Sequence, residues 1–210
     1  MQADWYFDFI SPFAYLQLPR ILTLRARLDI RPVPILFAAV LDHVGQLGPA
    51  EIPAKRVFTY RFVQWQAQRT ALRLKCPPAH PFNPIPALRL CLAAGGDWNA
   101  VEAIFAHLWR DGGSGDAAAL ADVGRALGID DVTAGVSTDA VKSALRANTD
   151  RALALGVFGV PTLAIDGQLF WGNDATPMFE DYLADPACFD MPEYRRIEKL
   201  PVGVERRRQV

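Results

Sequence analysis

Ser11 and Pro12 form the feature of this sequence that could carry chemistry. They follow a short apolar segment directly, and a serine before a proline is typical of a helix start, with serine as the N-cap residue. The N-terminus of a helix has free backbone N–H groups and a partial positive charge, so it stabilises an anion. The Ser11 hydroxyl could add a hydrogen bond to such an anion, including a thiolate that a ligand supplies.

Two other roles are open for Ser11. A serine hydroxyl is a weak nucleophile without a neighbouring base, and the sequence fixes no histidine or carboxylate beside it. We therefore disfavour the formation of a serine acyl-enzyme. The plainer alternative is a serine that only caps its helix, and these two residues alone leave that alternative open.

The composition excludes several classes of protein. The chain has 210 residues with 22 basic and 23 acidic side chains, so its net charge is −1 and we expect neither nucleic acid nor a membrane surface as a partner. No apolar run reaches the roughly 18 residues of a membrane span. The three histidines show no metal-ligand spacing, and we expect no metal. They are His43, His80 and His107.

The cysteines do not form a second chemical site. They are odd in number and lack the Cys-x-x-Cys spacing of redox or zinc sites, so we expect reduced thiols. The N-terminal segment lacks the basic and apolar regions of a secretion signal. The sequence therefore predicts a cytoplasmic protein whose free thiols are Cys76, Cys91 and Cys188.

The elements around Ser11 are predicted as strand, helix and strand. Apolar residues alternate with period two over 3–9, which indicates a strand. A helical pattern follows over 12–28, and Pro19 should bend that helix. Residues 31–37 indicate a second strand, and two prolines in it favour the edge of a sheet.

The stretch 38–155 is helical in pattern. Its apolar residues recur at helical spacing between capping residues, which predicts a lobe of helices that bury their apolar stripes on one another. One of these helices, over 53–72, carries an aromatic row. The row consists of Phe58, Phe62 and Trp65.

Strand signals return after Gly156. The pair Asp166-Gly167 separates two short apolar runs, and this arrangement is a strong hairpin signal because a type I′ turn needs positive φ at both positions. Thr176, which precedes a proline, is predicted to cap a further helix. The charged end, 205–210, is predicted to be frayed.

This order of elements resembles the thioredoxin-like α/β fold of the DsbA family, with a βαβ unit and a ββα unit separated by a large helical insertion. Ser11 stands where the family carries its Cys-x-x-Cys motif, and Pro19 stands where thioredoxins have a kinking proline. Val160 and Pro161 resemble the loop whose proline is cis in that family. The resemblance implies a thioredoxin-like domain over 1–37 and 156–186, a helical domain over 38–155 and a C-terminal tail over 187–210.

Serine in place of cysteine indicates a subfamily. Ser11 and Ala14 occupy both sulfur positions, so thiol–disulfide exchange is excluded at this site. Four segments in order resemble the 2-hydroxychromene-2-carboxylate isomerases, which are relatives of the kappa-class glutathione transferases. The segments are Ser-Pro-Phe-Ala-Tyr at 11–15, Pro-Ala-Lys-Arg at 53–56, His-Pro-Phe-Asn-Pro at 80–84 and Phe-Trp-Gly-Asn-Asp at 170–174.

The resemblance implies that glutathione is the cofactor and that Ser11 is the catalytic residue, which lowers the pKa of the glutathione thiol from its usual ~8.5. The main-chain groups of Val160 and Pro161 would bind the cysteinyl part of glutathione, as an added strand does. Asn173 and Asp174 would bind its γ-glutamyl end, although both could instead cap a helix.

Three further residues are candidates for contact with substrate. Lys55 lies on a helix that could face Ser11, where its charge could hold a carboxylate of glutathione or of an acidic substrate, or it is a solvated surface lysine. Asn83 could position the substrate or only cap the helix that opens at Pro84. Trp171 could line the substrate pocket or serve in packing.

The function implied by the resemblance is a glutathione-dependent isomerase. It would convert a chromene carboxylate to trans-o-hydroxybenzylidenepyruvate in aromatic hydrocarbon catabolism, and relatives of this kind are often dimers, so we expect a homodimer. One alternative is a kappa-like glutathione transferase that acts on other electrophiles. Another is a protein that binds glutathione or a peptide and has no catalytic activity.

Overall fold

A four-stranded sheet positions Ser11. The computed structural model describes residues 1–204, and its strands follow the order β2-β1-β3-β4. β1 pairs in parallel with β2 and antiparallel with β3, and β3 pairs antiparallel with β4. The strands are β1 (Gln2–Phe7), β2 (Asp29–Pro34), β3 (Thr162–Ile165) and β4 (Gln168–Trp171).

Helices surround this sheet and fill the stretch between β2 and β3. No helix within residues 1–204 has the length and apolar character needed to span a membrane. The predicted frayed end, 205–210, lies outside the described residues. The helices are α1 (Pro12–Leu24), α2 (Phe37–Val44), α3 (Pro53–Arg69), α4 (Ile85–Ala93), α5 (Trp98–Phe105), α6 (Ala121–Ala126), α7 (Val132–Gly135), α8 (Asp139–Ala154), α9 (Thr176–Ala184) and α10 (Pro192–Ile197).

The local signals in the sequence explain where these elements begin and turn. Ser11 is the N-cap residue of α1, and its Oγ accepts a hydrogen bond of 3.3 Å from the Ala14 N–H. Asp166 and Gly167 have φ values of 50° and 80°, as a type I′ hairpin requires. The predicted thioredoxin-like α/β fold is confirmed by these elements and their pairing.

Both faces of the central strand β1 carry buried residues. On one face, Trp5 and Phe7 stack with ring centroids 4.5 Å apart, and both pack against Phe105 of α5. On the other face, Tyr6 of β1 packs in a smaller cluster that includes Val40 of α2. The helical insertion therefore contributes to the same core as the sheet, and it holds the loop after β1 from both sides.

The predicted packing of the aromatic row on α3 is wrong. Phe58 is 66% exposed and Trp65 is 50% exposed, whereas the buried residues of α3 are Val63 and Ala67. The rings of the row stack on one another along the helix surface, with centroids 5.7 and 5.8 Å apart. Helical spacing identifies residues that share a face, but it does not say whether another element covers that face.

Candidate active site

A cavity of about 520 Å³ opens at the N-terminus of α1. The loop after β1 supplies Ser11 to its lining, and the loop before β3 supplies Gly159 and Val160. Helix α3 contributes Lys55 and Thr59 from the opposite side. The fold thus brings two predicted glutathione contacts and the predicted carboxylate contact to one cavity.

Ser11 has the geometry of a hydrogen-bond donor to a bound ligand. The residue is only 6% exposed. Its N–H donates to the Asp8 carbonyl at 3.0 Å, and its Oγ accepts from the Ala14 N–H. Within residues 1–204, no protein acceptor lies within hydrogen-bond distance of its hydroxyl proton, so that proton is available to an atom in the cavity.

The segment before Ser11 is held by hydrogen bonds from the helical insertion. The Phe9 carbonyl accepts from Trp109 Nε1 at 2.8 Å, and Trp109 lies in a π-helical turn, Ala106–Arg110. The Ile10 carbonyl bonds to His80 Nε2 at 2.8 Å. Both carbonyls are therefore paired, and the Ser11 backbone has a fixed position at the cavity wall.

His80 has a defined tautomer in this arrangement. A carbonyl only accepts, so His80 Nε2 carries the proton that bonds to Ile10. The Tyr60 hydroxyl lies 2.8 Å from His80 Nδ1 and 2.9 Å from the His80 carbonyl, to which it donates. Burial is the main cause that lowers the pKa of His80. The imidazole is accordingly neutral near pH 7 and supports the loop as a donor without charge.

The loop before β3 presents free main-chain groups to the cavity. The Val160–Pro161 peptide is cis, as the resemblance implied, and the Pro161 carbonyl accepts from the Gly172 N–H at 2.8 Å. Within the described part of the chain, the N–H and C=O of Val160 have no hydrogen-bond partner. An extended peptide could therefore pair with Val160 as a further strand does.

Asn173 and Asp174 lie beside this loop, in the short helical turn between β4 and α9. The Asn173 amide donates to Gln66 Oε1 of α3 at 3.1 Å, and Asp174 is exposed. Neither residue lines the cavity of 520 Å³. Their part in ligand binding stays a prediction.

The buried amide of Gln17 ties this region to α1. It donates to the Gly172 carbonyl at 3.2 Å and to the Thr176 hydroxyl at 2.9 Å. The Thr176 hydroxyl in turn donates to the Asn173 carbonyl, so the predicted N-cap role of Thr176 is wrong and α9 begins at Thr176 itself. The Thr176 hydroxyl is thus used in hydrogen bonds with Gln17 of α1 and with the Asn173 carbonyl, and it does not cap the helix as the local sequence predicts.

The predicted substrate contacts differ in their position. Trp171 lines the cavity, is 53% exposed, and lies so close to Gly159 that a Cβ there would come within 2.3 Å of its indole nitrogen. Asn83 is exposed and lies outside the cavity lining, and its Oδ1 accepts from the N–H of Ile85, the first residue of α4, at 3.1 Å. Its contact with substrate stays a prediction.

Sequence reasoning missed Asp8. This carboxylate is fully buried, lines the cavity, and accepts from the N–H groups of Ile10 at 3.0 Å and Phe37 at 2.9 Å. Burial raises its pKa to about 7. The sequence feature that could have indicated Asp8 is an acidic residue between Phe7 and Phe9, where the predicted strand leads into the turn before Ser11.

The sequence and structure are similar to known isomerases and transferases. The family model described as DSBA-like thioredoxin domain matches residues 2–184. A 2-hydroxychromene-2-carboxylate isomerase from Pseudomonas putida is 32% identical over 191 residues, which cover 86% of this chain and 93% of the relative. Glutathione s-transferase kappa 2 from Caenorhabditis elegans is 29% identical over 207 residues, with 88% and 92% covered.

Two solved structures extend this comparison. A structure of 2-hydroxychromene-2-carboxylate isomerase matches with a TM-score of 0.80 at 28% identity, covering 90% of this chain and 97% of that one. The cytosolic disulfide reductase DsbM from Pseudomonas aeruginosa, solved with GSH, matches with a TM-score of 0.58 at 16% identity, covers 95% and 98%, and shares the fold alone. The resemblance that the sequence predicts is confirmed by these matches.

Proposed function

Because the chain belongs to the DSBA-like thioredoxin domain family and has 2-hydroxychromene-2-carboxylate isomerases among its relatives, we propose that it is a glutathione-dependent isomerase of conjugated aromatic carboxylates. One observation carries the proposal: a hydroxyl, rather than a thiol, faces the cavity at the N-terminus of α1. The reactive sulfur must then come from a ligand, because the site itself has none.

The residues around the cavity fit glutathione. Ser11 has a hydroxyl proton free to donate to a sulfur, and the N-terminus of α1 favours the anionic form of that sulfur. Val160 has unpaired main-chain groups that suit the peptide bonds of a cysteinyl residue. When bound, glutathione would supply a thiolate that adds reversibly to the conjugated ring and makes a double bond rotatable.

The γ-glutamyl end of glutathione would lie towards Asn173 and Asp174. A carboxylate suits the α-ammonium group there, and the amide of Asn173 suits the α-carboxylate. The buried amide of Gln17 bonds to the Gly172 carbonyl and so holds this turn against α1, which carries Ser11. This hydrogen bond supports the proposal, because it ties the turn that carries Asn173 to the helix that carries Ser11.

The cavity as a whole suits a flat, anionic substrate. Aromatic side chains form much of the lining, and Lys55 is the single lysine or arginine that lines the cavity within the described residues. Its ammonium group could pair with a substrate carboxylate while the ring lies against aromatic faces. The aromatic side chains are Phe13, Phe37, Phe82, Phe158 and Trp171.

The direct test is the isomerisation of 2-hydroxychromene-2-carboxylate, followed with and without glutathione. We expect conversion to trans-o-hydroxybenzylidenepyruvate that requires glutathione and leaves its concentration unchanged. S-methylglutathione is the matched control, because it has the same peptide and lacks the reactive thiol. Equal rates with glutathione, with S-methylglutathione and with neither would reject the proposal.

A kappa-like glutathione transferase is the second candidate. It is favoured by the 29% identity to glutathione s-transferase kappa 2 over nearly the whole of both chains. A transferase consumes glutathione in proportion to product, whereas an isomerase regenerates it. Measuring the loss of free thiol with a chlorinated nitroarene and with the chromene separates the two activities.

We also propose that the protein forms a homodimer in the cytoplasm. The exposed aromatic row of α3 offers an apolar surface that a second copy could cover, and reduced thiols suit a reducing compartment. Sedimentation of the full chain should give twice the monomer mass, and replacing Phe58 and Trp65 by serine should give monomers. A monomeric wild type would contradict this part of the proposal.

A further inference from the structure

Asp8 is a buried acidic residue that lines the same cavity as the Ser11 hydroxyl. Its carboxylate is fully buried, and both of its oxygens accept from backbone N–H groups, one before α1 and one at the start of α2. The Ser11 N–H bonds to the carbonyl of the same residue at 3.0 Å. Asp8 and Ser11 therefore belong to one turn, and both line the same cavity.

Among the residues that the structure describes, no cationic side chain forms an ion pair with this carboxylate. Within residues 1–204, the hydrogen-bond partners of its oxygens are the N–H groups of Ile10 and Phe37 alone. Burial is the largest cause of its raised pKa, and these two hydrogen bonds oppose it. The charged and titratable groups that share the cavity lining with it are Glu51, Lys55 and His80.

A thiolate at Ser11 would add a second negative charge to this cavity. Two like charges in an apolar site oppose each other, so one of the two groups gains a proton. The N-terminus of α1 and the Ser11 hydroxyl stabilise the charge on sulfur, whereas Asp8 has no cation in hydrogen-bond contact. The sulfur is therefore the group that stays ionised.

We propose that Asp8 takes up the proton that a thiol releases when it ionises beside Ser11. The S–H bond breaks with its electron pair left on sulfur, and an O–H bond forms on a carboxyl oxygen of Asp8. The charge of the cavity stays the same, because one anion replaces another. The inference rests on the proposed binding of glutathione and adds the destination of its proton.

The proton count of glutathione binding tests this inference. Calorimetry of the full chain in buffers of different ionisation enthalpy, at about pH 7.5, measures the protons released for each ligand bound. A free thiol of pKa ~8.5 is then mostly protonated, so a site without an internal acceptor would release nearly one proton. We expect release close to zero in the wild type and close to one in Asp8→Asn, while the ultraviolet absorbance reports a bound thiolate in both.

An infrared measurement on the unmodified protein gives a second readout. It is needed because Asp8→Asn places the donor NH2 group of asparagine opposite a backbone N–H that is also a donor, which lowers the stability of the folded protein. Glutathione should produce the carbonyl stretch of a protonated carboxylic acid, and S-methylglutathione should not. The exposed acid variant Asp122→Asn should keep this signal.

The possible failures are distinguishable. A wild-type protein that binds a thiolate and releases nearly one proton, without a carboxylic acid signal, would overturn the role of Asp8 and leave the proposed function intact. Absence of glutathione binding, or binding without a thiolate, would overturn the proposed function and this inference together.

Discussion

The two walls of the cavity differ in how firmly they are held. On the sheet side, a buried hydrogen bond from Trp109 and a part-buried one from His80 fix the segment before Ser11, and both come from segments far away in sequence. On the helix side, residues 46–51 hydrogen-bond mainly to their own neighbours, and Leu47 is 65% exposed. The difference indicates that the sheet side fixes the chemistry and that the helix side selects the substrate.

This contrast predicts different kinetic effects from the two walls. Changes near Ser11 should lower the rate for every substrate, because they alter the proposed hydrogen bond between Ser11 Oγ and the glutathione sulfur. Changes near Lys55 should alter the affinity for particular substrates and leave the thiol chemistry unchanged. The predictions below test that division, beginning with the largest expected effect.

Replacing Ser11 by alanine removes the hydroxyl donor from the fixed wall. Loss of one preorganised donor to a developing anion costs about 10²-fold in kcat, and we expect a loss of that size with the chromene substrate. Steady-state kinetics at saturating glutathione measure it. The control is the exposed serine variant Ser143→Ala, which should keep full activity. A Ser11→Ala enzyme with activity within twofold of wild type would contradict the claim that the sheet side of the cavity fixes the chemistry.

His80→Ala removes the donor to the Ile10 carbonyl and leaves that carbonyl unpaired. An unsatisfied buried acceptor costs about 1–3 kcal/mol, so we expect roughly a tenfold lower kcat and a less stable protein. His80→Gln should restore much of the rate, since the glutamine amide can place a donor near the position of Nε2. The control is His43→Ala, an exposed histidine on α2.

The stability of the protein should also change with pH through His80. Burial lowers the pKa of this group below its usual value of 6.5, so in acid the unfolded chain binds a proton that the folded chain does not. The contribution of His80 to the free energy of unfolding should therefore fall as the pH drops below about 6.5, whereas buried Asp8, whose pKa is raised to about 7, contributes with the opposite sign. The His80 contribution is the difference between the wild type and His80→Gln when both are unfolded with urea across that range, so the wild type should lose stability relative to the variant in acid, and identical slopes would contradict it.

Lys55→Ala tests the substrate-selecting wall. The lysine is exposed, and an ion pair in such a position contributes about 1 kcal/mol or less, so we expect KM for the carboxylate substrate to rise about fivefold with kcat nearly unchanged. Lys142→Ala, on α8 away from the cavity, is the matched control. A fall in kcat without a change in KM would indicate that Lys55 acts in the chemical step and not in substrate binding.

The smallest effect is expected from the cysteines, which belong to neither wall. Within the described residues, Cys76, Cys91 and Cys188 are free thiols, and none of them lines the cavity. Replacing Cys76 and Cys188 by serine and the buried Cys91 by alanine should leave activity within twofold of wild type. A large loss in any of these variants would indicate a redox role that the proposed chemistry does not contain.

Local signals in the sequence were sufficient for the fold and for part of the site. Ser11, Pro19 and the Asp166-Gly167 turn act through their immediate neighbours, so their effects can be predicted from short segments. Family resemblance then supplied Lys55 and Val160, which the structure brings to the cavity with Ser11. The positions of Lys55 and Val160 at the cavity follow from the order of strands and helices along the chain, which the hydrophobic periodicity had already predicted.

The remaining features depend on contacts between distant segments. Asp8 alternates with apolar residues as an exposed polar side chain would, and no local pattern specifies its hydrogen bond from Phe37, 29 residues away at the start of α2. Trp109 and His80 reach the segment before Ser11 from the helical insertion, and no local pattern specifies those contacts. The exposure of Phe58 and Trp65 is of the same kind, because it depends on how the helices dock.

The central claim is that Ser11 and the N-terminus of α1 stabilise a thiolate that the protein does not itself supply. The most direct measurement is a titration of bound glutathione by the ultraviolet absorbance of its thiolate, in the wild type and in Ser11→Ala. We expect the wild type to lower the thiol pKa by at least about one unit, or about 1.4 kcal/mol, relative to Ser11→Ala. Equal thiol pKa values in the two proteins would contradict the account.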